Sequence, residues 1–425
     1  MNAATHLTTA STAPFWGSNA KVPTQLKALG SLGMILICPI FTLWVLTACT
    51  YYECSLVWSI RQLLKTKYIG LVQQSVKWVP KPTRNTLIAY SGWVVFQGIL
   101  YKILPGKTGF GQMTPAGYCL SYKFLWGKGL RNAIGEWSAG VYTYPCIILC
   151  AGTLWSVSCI SNICHFFSFI KAHLFPSHSE DCKFSGSLIY DFWMGIELNP
   201  RFGNGRPGII CWTLIDISFA AAQRQRIGYI TNSMYLIIFL HGLYVLDFFY
   251  HEDWYLRTID ICHDRFGFYL AWGDTVWLPM MYTLQAQYLY RNPVDLHPYY
   301  AVIILKDHVR LTDGNCKIWG KSPKLIRTTY TTLDGKIHKS ILLCSGYWGL
   351  ARQFNYIGDL LLAFSMCAAC GFKKNALLAY FYIIYMFILL NHRVYRTEKR
   401  CSAKYGHYWK EYCKKVPYRL FPGIY

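Results

Sequence analysis

The chain has 425 residues, 53% hydrophobic, 17% aromatic and 15% charged, with a formal net charge of +22. That balance disfavours a soluble multidomain protein and fits a membrane protein. The positive charge comes with no nucleic-acid-binding motif, so no nucleic acid is expected as partner; the charge reads as cytoplasmic-side orientation or as the field for an anionic cofactor.

Residues 1–28 are polar and rich in Ser and Thr. They lack a charged segment followed by an apolar one, so no cleaved signal peptide is expected and the first span serves as its own targeting signal. "SLGMILICPIFTLWVLTACTYY" (31–52) is a span by length and apolarity. The next candidates are 86–104, a long run over 138–170, a short run over 208–222, and "YITNSMYLIIFLHGLYVLDFFY" (229–250). Residues 266–290 make another, with Gly273, Asp274 and Pro279 in mid-run; 356–372 and 376–390 close the series. Window hydropathy therefore predicts an all-α polytopic transmembrane bundle of about 8–10 spans. Two regions are not membrane: 306–340, with Thr-rich strand character around a turn at Asp334-Gly335, and the basic tail 391–425. The expected organisation is a polar N-terminal segment (1–28), a first transmembrane part (29–305), a cytosolic loop with a small extended segment (306–340), and a C-terminal transmembrane and cofactor-binding part (341–425).

The 17 cysteines lie mostly inside apolar runs and read as reduced, buried, small hydrophobes. No metal site is expected. No GxGxxG follows a strand, and no Walker loop, HExxH or GxSxG occurs. The chemistry must therefore come from polar groups at membrane depth, which are costly and mark functional sites by default. They are Glu197, Asn199, Asp216, Asp247, His263, Asp264, Arg265, Asp274, and the cluster Arg352, Asn355 and Asp359 in "ARQFNYIGD". The plain alternative for each is pairing with a neighbouring helix or snorkelling to the interface. Lys306 and Arg310 stand one helical turn apart and suit a phosphate, as point charge and fork.

"LLCSGYWGLARQFNYIGD", followed by "AYFYIIYMFILLNHRVYRTEKRCSAKYGHYWKEYCKKVPYRLFPGIY", resembles the sterol reductase family. That family comprises delta-14 sterol reductases, the lamin B receptor and 7-dehydrocholesterol reductases. "DCKFSGSLIYDFWMGIELNPRFG", "NGRPGIICWTLIDISFAAAQRQ" and "RLTDGNCKIWGKSPK" extend the resemblance over most of the chain, closest to the animal 7-dehydrocholesterol reductase branch. It implies a multi-pass protein of the endoplasmic reticulum membrane that reduces the delta-7 double bond of a sterol with NADPH. The alternatives are delta-14 reduction, or a sterol-binding or scaffold relative with weakened catalysis. The sterol would come from the bilayer, among membrane lipid, and other membrane proteins of the sterol pathway would be partners. Carried over by position, Lys306 and Arg310 hold cofactor phosphate. Leu343, Trp348, Asn355, Tyr356, Cys401, Ser402, Ala403, Lys404, Tyr405 and Tyr412 surround the cofactor. The proton donor is open, with Glu398 and Asp264 as candidates.

Three features depart from the family pattern. Thr397 stands where the family carries Asp, and Gln353 where it carries His. Only "YYAVIIL" separates Pro298 from Lys306, where the family has a full span. Seven helical residues reach about 10 Å, against a ~30 Å hydrocarbon core.

Overall fold

The computed structural model describes residues 25–65, 107–124, 165–176, 182–198, 205–251, 264–296, 318–372 and 376–425, apart from 118 and 319, with a few scattered positions elsewhere. The expected spans over 86–104 and 138–170 lie largely outside the described residues. So do Asn199, His263, Lys306, Arg310 and the shortened stretch after Pro298.

Among the described residues, three helices are long and apolar enough to cross a membrane: Gln25–Tyr51, Asn232–Tyr250 and Ala376–Tyr405. The first is α1, matching the expected span at 31–52. Its hydroxyls are satisfied within the helix: Thr42, Thr47 and Thr50 each donate to the carbonyl four residues earlier at 2.8 Å. Hydrocarbon offers them no water, so this back-bonding removes the cost of carrying them. A short amphipathic helix, α2 (Leu56–Lys65), follows and is tied back by Trp44 Nε1 donating to Ser59 Oγ at 3.1 Å.

Helix α3 (Leu188–Met194) leads to α4 (Gly205–Ile227), which runs past the short apolar stretch 208–222. The extension is possible because Gln223, fully buried, finds partners at both ends of its amide. Its Nε2 donates to Leu289 O at 2.8 Å, and its Oε1 accepts the Thr231 N–H at 2.9 Å. Thr231 in turn caps α5 (Asn232–Tyr250), accepting from the Met234 N–H. One polar side chain thus fixes the α4–α5 corner.

The run 266–290 is not one continuous α-helix. It breaks into α6 (Phe268–Trp272), a π-helical turn (Gly273–Trp277), α7 (Leu278–Met281) and α8 (Leu284–Arg291). Pro279 has no N–H to extend the ladder, and the wider turn before it absorbs the mismatch. The Thr283 hydroxyl takes up the Pro279 carbonyl at 2.8 Å.

Two crossings fix the remaining geometry. Gly195 and Gly267 pass backbone to backbone: a Cβ on Gly195 would lie 2.4 Å from the carbonyl carbon of Phe266, and one on Gly267 2.2 Å from Trp193 O. The extended segment expected near 325–345 is a hairpin, β3 (Leu325–Thr331) antiparallel to β4 (Ile337–Leu343), paired from Leu325↔Leu343 to Thr331↔Ile337. Its turn carries Asp334, which accepts from the Thr332 hydroxyl and from Lys336 N at 3.3 Å, and pairs with Lys336 Nζ at 3.1 Å. A second hairpin, β1 (Lys107–Met113) with β2 (Cys119–Phe124), was not expected; Leu333 N–H docks on its Pro115 carbonyl at 2.9 Å. Helices α9 (Tyr347–Leu350), α10 (Asn355–Ala368), the long α11 (Phe381–Tyr405) and α12 (His407–Lys415) complete the described chain. The core joins α1, α5, α8, α10 and α11 through Val45, Met234, Leu284, Met366 and Tyr382. The described cysteines are free; five of them are buried, and Cys119 is exposed rather than buried as expected. They include Cys367 and Cys370, spaced C-A-A-C and buried against Gln285.

Two outcomes test this architecture. Gly267→Ala is expected to cost about 3 kcal/mol or more through backbone overlap, whereas Gly242→Ala, with nothing within 4 Å, leaves stability near that of the parent. Thermal melts in detergent read the difference. Asp334 is held down to about 2, first by the Thr332 hydroxyl and then by Lys336. A depressed acid contributes its stability above the unfolded value and loses it as pH falls. The turn is therefore expected to stay ordered down to pH about 3 and to loosen through about 2. An Asp334 carboxyl resonance titrating near 4 would contradict this.

Candidate active site

The site is built on the buried face of the β3–β4 hairpin. Strand β3 alternates, placing Ile326 and Thr328 inward, both buried. Ile326 packs with Trp409, Tyr412 and Val416, flanked by Leu342, Cys344, Cys401 and Tyr405. So the predicted cofactor positions Cys401, Tyr405 and Tyr412 do meet the strand that carries Leu343. Tyr405 stands 3.4 Å from Ser340 Oγ through its hydroxyl, and its ring meets Tyr330 edge-on at 6.0 Å. Lys404 Nζ lies 3.9 Å from the Tyr330 ring centroid. Ser402 and Ala403 are exposed on the same helix end.

Trp348 sits half-buried on α9, between the exposed Tyr347 and the tight turn at Gly349. A Cβ on Gly349 would come within 2.9 Å of Cys344 O, so only glycine lets α9 fold back onto β4. Asn355 is exposed at the first position of α10. Tyr356 packs instead on Leu360, Leu390 and Leu420. Burial raises the Tyr412 phenol and the Cys344 thiol. Both are neutral at ordinary pH and act here by shape and hydrogen bonding rather than as acids.

Arg352 is the centre of this end of the molecule. Its side chain is 5% exposed, and it grips Glu398 by Nε at 2.7 Å and Nη2 at 3.2 Å. Its Nη1 donates to the carbonyls of Val416 (2.5 Å) and Pro417 (2.9 Å). The backbone joins in: Arg352 N–H donates to Tyr418 O, and Gln353 N–H to Arg419 O, both at 3.0 Å. Both Glu398 oxygens are thereby engaged by one guanidinium, with Arg419 3.9 Å away. That is a holding role for Glu398.

The other candidate acid is placed differently. Asp264 pairs with Arg396 on α11, one residue before Thr397. The carboxylate is 5% exposed, and its second oxygen is buried without a hydrogen-bond partner among the described residues. Nearby in sequence, Phe266 N–H donates to Glu197 O at 3.0 Å, and Glu197 pairs with Lys171 at 2.8 Å. Asp359 faces Arg393, one turn before Arg396. The structure thus brings Asp264 to the tail helix, a contact across 132 positions of sequence.

Comparison with known proteins matches this chain over residues 24–425 to the ergosterol biosynthesis ERG4/ERG24 family. A 7-dehydrocholesterol reductase of Xenopus laevis is 43% identical over 436 residues, covering 92% of this chain and 91% of its own. One of Danio rerio is 44% identical over 441 residues, with 92% and 90% covered. A delta(14)-sterol reductase of Dictyostelium discoideum is 33% identical over 381 residues, with 81% and 79% covered.

The Arg352 clamp has a measurable signature. Arg352→Met leaves the half-buried Glu398 with only the more distant Arg419, at a cost below the about 3–5 kcal/mol of breaking a fully buried pair, and frees residues 416–425. Hydrogen exchange is expected to rise across that segment. Arg352→Met with Glu398→Gln recovers part of the stability, because no half-buried charge is then stranded.

Proposed function

The chain belongs to the ergosterol biosynthesis ERG4/ERG24 family of membrane-bound sterol reductases, and from that premise we propose that it reduces the delta-7 double bond of a sterol with NADPH in the endoplasmic reticulum membrane. The observation that carries the choice of bond is likeness: the relatives sharing 43–44% identity over nine-tenths of both chains are 7-dehydrocholesterol reductases.

The arrangement suits the chemistry. An unactivated ring alkene is a poor hydride acceptor, so a proton must arrive at one carbon as hydride reaches the other. The sterol partitions into the bilayer among the spans. The cofactor is a polyanion and approaches the aqueous end. There the described donor set fits it: Lys404 and Arg400 supply positive charge, Trp348 and Tyr405 aromatic faces, and Asn355 an exposed amide; by resemblance alone, Lys306 and Arg310 would add charge for the phosphates. NADPH would supply the hydride; the protein supplies position and field. Asp264 and Glu398 are both held by an arginine, Arg396 and Arg352 respectively, and Thr397 has no ionisable proton near neutral pH. Those same two facts favour a second reading, a sterol-binding relative with slow turnover.

One assay separates these. Microsomes of a reductase-null cell expressing this chain are fed 7-dehydrocholesterol, and sterols are read by mass spectrometry. Conversion is expected, slow in the parent and raised by Thr397→Asp, since a positioned acid contributes about 10²–10⁴-fold. No conversion in a protein that inserts and folds would favour the sterol-binding reading. Conversion of a delta-14 sterol alone would reassign the bond.

A further inference from the structure

Helices α10 and α11 leave between them an open cavity of about 420 Å³. Ile357 and Leu361 of α10, Ile384, Phe387 and Ile388 of α11, and Phe421 of the final segment line it. The spacing explains the groove: 357 and 361, like 384 and 388, are four positions apart, so each helix turns one row of apolar side chains to the cavity. No polar side chain is among its lining residues. Leu360, which is buried, also lines it and clusters with the buried Leu390 and Leu420. Leu361, Ile384, Phe387 and Ile388 are exposed, so the groove opens outward from the bundle.

The surroundings say what can fill it. Helix α11 lies in a stretch long and apolar enough to cross a membrane, and α10 is an apolar helix beside it. An exposed, wholly apolar groove there faces hydrocarbon, and its occupant comes from the bilayer. The bilayer offers flexible acyl chains and rigid sterols, and the lining distinguishes them. Ile357, Ile383, Ile384 and Ile388 are β-branched. Such side chains hold one strongly preferred rotamer in a helix, so the wall has its shape before anything binds. An acyl chain must give up rotamer freedom to follow a fixed wall, whereas a fused ring system has none to lose. Phe387 and Phe421 add flat faces to the same lining. The loop that carries Phe421 supplies a polar end. The N–H groups of Arg419, Leu420 and Phe421 donate to Tyr425 O at 3.0, 2.9 and 3.0 Å, and Arg419 Nη1 donates to the Tyr425 hydroxyl at 3.2 Å. Arg352 holds that segment through the carbonyls of Val416 and Pro417. An apolar groove beside one guanidinium–phenol pair matches a rigid apolar body with a single hydroxyl at one end.

We propose that the α10–α11 groove is a docking site for a sterol of the bilayer, its rings along the isoleucine wall and its hydroxyl toward the Arg419–Tyr425 loop. This deepens the reductase reading above and rests on it for the class of ligand. The groove shares no residue with the candidate cofactor positions, yet it is continuous with them in packing: Leu360 lines it and belongs to the cluster on which Tyr356 packs. The site binds only, and no bond changes in it.

The test uses the full chain in phosphatidylcholine nanodiscs with two photoreactive probes, a diazirine-bearing sterol and a diazirine-bearing phosphatidylcholine, and maps the adducts by mass spectrometry. The sterol probe is expected to label peptides covering 357–361 and 383–388, and excess 7-dehydrocholesterol to compete that labelling away. Ile384→Trp fills the groove from an exposed position and is expected to cut the labelling about tenfold, or about 1.4 kcal/mol of binding. Leu243→Trp, at an exposed position of α5, is expected to leave it unchanged. Elution in detergent confirms the fold of both variants. Equal labelling of the groove by the phospholipid probe overturns the proposal, since it marks ordinary boundary lipid. So does sterol labelling confined to other segments, or parental labelling in a folded Ile384→Trp. The two readings fail separately. A chain that reduces sterol but is not labelled in the groove loses the docking site alone. A chain labelled there that reduces no sterol loses the reductase reading and keeps the docking site.

Discussion

The aqueous end of this protein depends on one buried guanidinium. Arg352 is reached by a chain that has just left a β-hairpin, and it enters α10 immediately afterwards. From that corner it holds α11 through Glu398 and the final segment through the carbonyls of Val416 and Pro417. Desolvating an arginine is expensive unless nearly every N–H finds an acceptor. Here a carboxylate and two carbonyls provide them. The consequence is geometric: α11, α12 and the hairpin are fixed relative to one another, and Cys401, Tyr405 and Tyr412 are pressed against β3. No candidate cofactor position would be defined without that fixation, because the tail helix otherwise touches the hairpin through a handful of aromatic contacts.

Part of this was legible in the sequence. The spans at 31–52 and 229–250 stand out because their apolarity is continuous, and the Asp334-Gly335 turn announces the β3–β4 hairpin. The stretch 266–290 misled, because window hydropathy averages over Gly273 and Pro279 while the backbone cannot. The first hairpin escaped for the opposite reason: "KTGFGQM" has neither strict alternation nor strong β-propensity, and its order comes partly from docking against Leu333. α4 outran its apolar stretch because Gln223 is satisfied by groups 8 and 66 residues away, which no local pattern contains.

The site divides along the same line. Positions within the tail were legible as a set, since "CSAKYGHYWKEY" lies on consecutive helix turns. Arg352 was visible as a suspect, but its partners at 398 and 416–417 were not. Glu398 illustrates the difference between composition and placement: it sits beside Thr397 in sequence, yet its carboxylate turns to Arg352. Asp264 illustrates the reverse, far away in sequence and beside Arg396 in space.

Those placements bear on how charge is distributed through the bundle. Acids with a dedicated cation, Asp264 with Arg396 and Glu398 with Arg352, are anchored as anions by their partners. Asp216 has no arginine or lysine partner among the described contacts; its partner is an imidazole, whose charge is optional. A fixed ion pair holds shape, because neutralising either member is costly. A carboxylate–imidazole pair keeps a net charge of zero whether the shared proton sits on oxygen or on nitrogen, although only the second arrangement carries the desolvation cost of two charges. The described bundle therefore uses arginine to hold shape where α11 and the final segment meet, and a carboxylate–imidazole contact to join α4 and α5 in its interior.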